Sequence, residues 1–263
     1  MNQPLTVPQV HEIVQLAFLA GLTQRISPRR YVLKGGTNLR LFFASPRSSE
    51  DMDFDAIDIP DWQLAEGVDA ALSSPVVGKV LRVHRLELVR VNSQKQTSTT
   101  QRWTVEVEAA GHALPISTTG EFSHRASAAG RDLGVRSESQ ADPIDPALLG
   151  RYAAPPIVLP HYLPGEAILQ KIAALALRAI NQPRDVFDLD LLLARYPDAA
   201  ARPGAVEPSQ AARAAERAME LDFEDFRDGV LPFIDDSDRA FYDTASAWSN
   251  MQDRVATHLL GLV

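Results

Sequence analysis

The chain has 263 residues, 45% of them hydrophobic, a formal net charge of -8 and no cysteine. This composition suits one large globular domain or two closely packed smaller ones. It excludes disulfides, thiolate metal sites and a cysteine nucleophile, and it fits a reducing, cytoplasmic setting. No apolar run approaches the roughly 20 residues of a bilayer span. The start, Met1-Asn2-Gln3-Pro4, lacks the basic-then-apolar pattern of a signal peptide, so no membrane partner is expected.

Val7 to Gln24 carries Val10, Ile13, Val14, Ala17, Phe18 and Leu22 at helical spacing, with Gly21 and Pro28 marking its exit. Tyr31-Val32-Leu33 reads as a buried strand running into a tight turn at Gly35-Gly36. A short helix is expected from about Thr37 to Phe43. From Asp51 to Ile57 the residues alternate, with Met52, Phe54 and Ala56 on one face and Asp51, Asp53 and Asp55 on the other. That is the period of a strand with one face on a core. Trp62 to Leu72 reads as a peripheral helix. Val80 to Val91, Arg102 to Ala109 and Leu114 to Phe122 read as strands, with a polar hairpin tip at Gln94 to Thr100 and a turn at Gly111-His112. Asp142 to Pro146 and Pro155 to Pro164 read as a connector.

Beyond it the pattern is helical: Gly165 to Ala179, Arg184 to Tyr196 after Pro183, the alanine-rich Pro208 to Glu220, and Asp238 to Leu260. Strands do not alternate regularly with helices and no internal repeat is present, so the expected class is α+β with a helical second half. The expected organisation is a mixed core over 1–150 and a helical domain over 151–263.

The chemistry-bearing residues begin with Lys34-Gly35-Gly36-Thr37. Glycines admit positive φ and close approach of a ligand to the backbone, and amides opening a helix attract anionic oxygens. A plain turn has the same signature, and the pattern is not a Walker A loop. Asp51 and Asp53 are two apart, so on a strand their carboxylates share a side, as a divalent cation with hard oxygen ligands needs. Three alternating aspartates are an unusual choice for a strand. A third carboxylate has three candidates, Glu106, Glu108 and Glu121, among which the pattern does not choose. Lys171, in an alanine-rich helix, is either a snorkelling surface lysine or a point charge for phosphate. Asp185 and Asp188 share a helix face, placed for the helix dipole or for a site. Arg82, Arg85 and Arg90, and Arg125, Arg131 and Arg136, read first as solvated surface. The six histidines are scattered and read as surface or structural residues; no hydrolase elbow, dinucleotide fingerprint or zinc-protease motif is present.

Taken in order, Val32-Leu33-Lys34-Gly35-Gly36-Thr37-Asn38-Leu39-Arg40, then Arg47-Ser48-Ser49-Glu50-Asp51-Met52-Asp53-Phe54, then Glu166 to Lys171, Leu175 and Arg178, then Arg184-Asp185 with Phe187-Asp188-Leu189, resemble the AbiEii/AbiGii nucleotidyltransferase toxins of the polymerase-β-like superfamily. The resemblance spans roughly residues 31–190. It implies a nucleotidyltransferase-like mixed sheet flanked by helices, with the helical domain packing against the active-site cleft. It also implies an enzyme that uses Mg²⁺ to move an NMP from an NTP to an acceptor hydroxyl, the 3′ end of tRNA in some members, and a cognate antitoxin. Carried over by position, Lys34, Gly35, Gly36 and Thr37 hold the triphosphate, Ser49 helps position it, and Asp51 and Asp53 ligate metal. Lys171 contacts phosphate, and Asp185 with Asp188 completes the site. The stretch Glu121-Phe122-Ser123 matches the strand bearing the third acid, which favours Glu121 over Glu106. The alternatives are a small-molecule or protein acceptor, or a non-catalytic member acting as a binding partner.

Overall fold

The computed structural model describes residues 4–124 and 138–263; the cluster Arg125, Arg131 and Arg136 lies outside the described residues. The chain divides into two compact units, Met1–Phe42 with Ser49–Tyr162, and Phe43–Ser48 with Leu163–Val263.

Among the described residues the first unit is built on a seven-stranded mixed sheet, in the order β3 (Leu86–Gln96), β4 (Thr100–Ala109), β5 (Ile116–Ser123), β2 (Met52–Ala56), β1 (Tyr31–Lys34), β7 (Val158–Tyr162) and β6 (Ser139–Pro143). Helix α1 (Val7–Arg25) is locked at its start by a capping box, in which Gln9 N donates to the Thr6 hydroxyl and Thr6 N donates to Gln9 Oε1. Every residue from Val10 to Leu22 is buried, the mark of a helix surrounded by its own domain. Strand β1 (Tyr31–Lys34) passes straight into α2 (Gly35–Phe42). Strand β2 (Met52–Ala56) pairs antiparallel with β1 and parallel with β5 (Ile116–Ser123). The alternation along β2 sends Phe54 to the core, where its ring stacks on Phe122 with centroids 4.5 Å apart. Tyr31 and Phe18 meet the same ring edge-on.

In the first unit the tight turn expected at Gly35-Gly36 is the first turn of α2 instead, and two longer stretches also differ from the sequence expectation. The valine-rich segment expected as a strand from Val80 begins with a helix, α4 (Pro75–Val83), after α3 (Asp61–Leu72). Pro75 occupies a first-turn position, and Val77, Val80 and Leu81 form a buried i, i+3, i+4 stripe. Here helical packing overrides the β-propensity of valine. Arg85, at φ 57°, turns the chain into β3 (Leu86–Gln96), which pairs with β4 (Thr100–Ala109). The expected proline-rich connector is structured: β6 (Ser139–Pro143), α5 (Pro146–Arg151) and β7 (Val158–Tyr162). Strand β7 joins β1 in parallel, and β6 closes the edge, where a terminal Pro143 costs no ladder bond.

The second unit is helical: α6 (Pro164–Leu177), α7 (Pro183–Arg195), α8 (Pro208–Glu220), α9 (Phe223–Gly229), α10 (Asp236–Tyr242) and α11 (Ala245–Leu260). The expected single helix from Asp238 is therefore two, broken where Thr244 caps α11 by accepting from Ala247 N. Alanines 211, 214, 215 and 218 form the buried face of α8. Phe226 stacks on Trp248 at 4.6 Å, and Gln252 Nε2 donates to the Ala218 and Leu221 carbonyls at the end of α8. Segment 43–48 is built into this unit. Ser48 N donates to Phe233 O (2.8 Å), Asp235 N donates to Pro46 O (2.9 Å), and Arg195 donates to the Phe43 and Ala44 carbonyls.

Phe54, fully buried between Phe18, Tyr31 and Phe122, sets the core of the first unit. Phe54→Ala is expected to cost about 3–5 kcal/mol in urea denaturation, whereas Val89→Ala on the exposed strand β3 stays within about 0.5 kcal/mol.

Candidate functional site

The first unit holds most of the sequence-derived candidates. Register sets Asp53 of β2 beside Lys34 of β1 and beside Glu121 of β5, so three ionisable side chains from neighbouring strands lie level, about 4.8 Å apart from strand to strand. Glu121 in turn lies opposite Arg102 of β4 and is held by it, with Nε 2.9 Å from Oε2 and Nη2 on the same oxygen. The register separates the three candidate third acids. Glu106 lies opposite Ser117, four residues and about 13 Å along the strand from Glu121, and Glu106 is paired with Arg90. Glu108 lies opposite Glu87 towards the end of the hairpin.

Gly35 carries the local constraint. Its φ of 72° is in the left-handed region, and a Cβ there would lie 2.6 Å from Asp53 Oδ2. Only glycine combines that backbone with so close a carboxylate. Gly35, Gly36 and Thr37 open α2 directly, with no intervening turn, so the amides of its first turn have no intrahelical acceptor. Lys34 pairs with Asp55, whose other oxygen accepts from Tyr162 Oη at 2.7 Å; Asp55 is buried and internally satisfied.

Asp51 sits just before β2 and is exposed. Its backbone is braced: the Thr37 and Ser49 hydroxyls both donate to the Asp51 carbonyl, at 2.7 and 3.1 Å, and Gln15 Nε2 donates to Ser49 O at 2.7 Å. In the structure, then, the Thr37 and Ser49 hydroxyls fix the segment that presents Asp51. His11, one turn before Gln15 on α1, is buried; burial pushes its pKa below the usual histidine value, against an opposing pull from Asp51.

The remaining candidates meet in the helical unit. Lys171 of α6 donates to Asp185 Oδ1 (3.0 Å) and lies 2.6 Å from Asp188 Oδ2, both on α7. Both aspartates are fully buried. Asp188 is also gripped in bidentate fashion by Arg47, at 3.1 and 2.9 Å. Arg47 belongs to the quoted Arg47-Ser48-Ser49-Glu50-Asp51 motif, but nothing in the sequence marked it as a partner of Asp188, 141 residues away. Arg178 Nε lies 3.1 Å from Asp185 Oδ2, yet that oxygen receives no aligned hydrogen bond, so it gains charge without directionality. Burial alone would lower the Lys171 pKa, but Asp188 and Asp185 outweigh it and hold the ammonium charged above its usual range. Burial alone would raise Asp188, but Arg47 and Lys171 outweigh it and hold the carboxyl below its usual value.

Among the described residues no three His, Asp or Glu side chains converge at metal-binding spacing. The donor chemistry of Asp51 and Asp53 nevertheless suits magnesium, which characteristically takes one or two protein carboxylates and shares its remaining positions with substrate phosphates and water.

The chain matches the family described as nucleotidyl transferase AbiEii toxin, type IV toxin–antitoxin system, over residues 17–258. No curated protein matches it. Among solved structures it is similar to JHP933 from Helicobacter pylori, with 18% identity, TM-score 0.57, and coverage of 98% of this chain and 95% of that one. It is also similar to a candidate nucleotidyltransferase from H. pylori, with 19% identity, TM-score 0.56, and coverage of 97% and 96%. The fold is thus the nucleotidyltransferase-like α+β arrangement expected from the sequence.

Removing the Asp188 carboxylate leaves Arg47 and Lys171 buried without their shared counter-charge. Asp188→Asn is expected to destabilise the protein by about 3–5 kcal/mol near neutral pH. Because the folded pKa of Asp188 lies below its unfolded value, its contribution is complete above the ordinary carboxylate range and is lost as pH falls through the folded value. Urea denaturation of wild type and variant should therefore converge in acid; a gap independent of pH contradicts the assignment.

Proposed function

We propose the following reading for this chain, which belongs to the family of AbiEii nucleotidyl transferase toxins of type IV toxin–antitoxin systems: it moves an NMP from an NTP to an acceptor hydroxyl with Mg²⁺, at the polar face of β1, β2 and β5, and the acceptor is the 3′ end of tRNA. The observation that carries it is the close approach of Gly35 to Asp53, which puts a helix N-terminus and a carboxylate side by side. One such place can serve both the phosphates and the metal that they share.

In this reading the amides of Gly35, Gly36 and Thr37 and the ammonium of Lys34 take the triphosphate. Asp51 and Asp53 hold the metal, with Asp51 fixed by the Thr37 and Ser49 hydroxyls. When bound, the ion lowers the cost of charge on the attacking and leaving oxygens of an in-line displacement. Glu121, level with Asp53, is the third acid; Arg102 limits its freedom, orienting Oε2 and leaving Oε1 outside that pair. Such an acid assists metal binding or accepts the proton of the attacking hydroxyl. Within the helical unit Asp185 and Asp188 keep the Lys171 ammonium charged, the state its expected phosphate role requires. The partners follow from the family: an NTP and a cognate antitoxin. The net charge of -8 favours a second reading, a small-molecule or protein acceptor, since an acidic chain is a poor general binder of nucleic acid.

Incubating the protein with Mg²⁺, labelled NTPs, total tRNA, protein and small-molecule pools identifies the acceptor by which pool takes up label. Asp51→Ala, an exposed change, is expected to leave the melting temperature within a few degrees. It should cut transfer by on the order of 10²–10³-fold, the range for losing one charge-stabilising group. A variant that labels at the wild-type rate removes Asp51 from the metal site.

A further inference from the structure

At the other end of β1 from Gly35, a depression of ≈ 530 Å³ is lined by Arg25, Ser27, Arg29, Arg30 and Gln63, over Ile26 and Ile59. We propose that this depression is a phosphate-binding site for the backbone of a polynucleotide acceptor; the inference rests on the nucleotidyltransferase reading with a nucleic-acid acceptor.

The charge balance singles out this depression. The chain is acidic overall, and many of its described arginines are matched to carboxylates: Arg40 to Glu12, Arg47 to Asp188, Arg102 to Glu121, Arg254 to Asp190. Around this depression three arginines fall within six residues, and no acidic side chain lines it. Arg25 and Arg29 have no carboxylate partner among the described residues. Arg30 donates to the Asp58 carbonyl, a neutral acceptor that leaves its charge uncompensated. Like charges gathered on one rim repel, modestly where water screens them, and an anion relieves that repulsion.

The form of the site selects the kind of anion. The guanidiniums are exposed, and they come from a helix end and the loop that follows it. Ser27 and Gln63 add neutral hydrogen-bonding groups. An open, multi-arginine rim of this type tracks successive phosphates along a strand. Position agrees, since β1 begins at the rim with Tyr31 and ends at Lys34 beside Gly35, a rise of about 10 Å over three steps. One polynucleotide can therefore touch the depression while its end lies at the phosphate-binding glycines.

The test compares wild type with an Arg25→Ala/Arg29→Ala double variant, retaining Arg30 because it also holds the Asp58 carbonyl. Both substituted side chains are exposed, and neither belongs to the proposed catalytic machinery. Binding of fluorescein-labelled tRNA is followed by anisotropy from 50 to 300 mM KCl, alongside label transfer at a series of tRNA concentrations. Losing two phosphate contacts should flatten the log–log salt slope by about 1.4–1.8, and should raise KM for tRNA while kcat holds. An unchanged slope and KM overturn the inference and leave the transferase reading standing. A wild-type protein that binds no RNA overturns both the inference and the tRNA acceptor, and leaves transfer to a small molecule or protein. Displacement of the tRNA by millimolar inorganic phosphate as effectively as by oligoribonucleotide makes this a small-anion site and overturns the backbone assignment.

Discussion

The two-residue period of β2 is the constraint on which the first unit depends. It sends Met52, Phe54 and Ala56 into the aromatic core and puts Asp53 and Asp55 on the opposite face. A register slip of one residue would bury the carboxylates and expose Phe54, so stability and site are set by the same alternation. The neighbouring strands repeat it: Phe122 stacks beneath Phe54 while Glu121 lies level with Asp53. Gly35 completes the arrangement, because only a residue without a Cβ lets α2 begin against the Asp53 carboxylate.

The helical unit depends on a different interaction, the buried group of Arg47, Lys171, Asp185 and Asp188. Such groups are costly to desolvate, and what they add is a defined arrangement more than stability. Here the arrangement includes a segment from far upstream. Arg47 and its neighbours, residues 43–48, are held by α7, by Arg195 and by the Phe233–Asp235 turn. The chain passes from this segment to Ser49 and Asp51 within the next three residues.

Much of this was legible in the sequence. The β2 alternation and the helical second half follow from periodicity, whereas the tight turn expected at Gly35-Gly36 is the first turn of α2; the family motifs supplied the order of the candidate site residues. What was not legible depended on distant pairing. Glu121 is level with Asp53 because β5 runs parallel to β2, which no local pattern announces. Arg47 finds Asp188 across 141 positions. Val77, Val80 and Leu81 form a helix by packing, and of the prolines that suggested a connector Pro143 and Pro160 sit in short strands at and beside the sheet edge while Pro146 and Pro164 open helices.

Under the proposed function Asp51 and Asp53 bind the metal that transfer requires, while Asp55 stays paired with Lys34 and Tyr162. Manganese binding measured by electron paramagnetic resonance, with a non-hydrolysable NTP analogue present, addresses this metal assignment without relying on turnover. Asp53→Asn is expected to lose the bound-manganese signal while Glu106→Gln, four residues out of register, keeps it. Wild-type binding by Asp53→Asn, or loss confined to Glu106→Gln, would contradict the assignment.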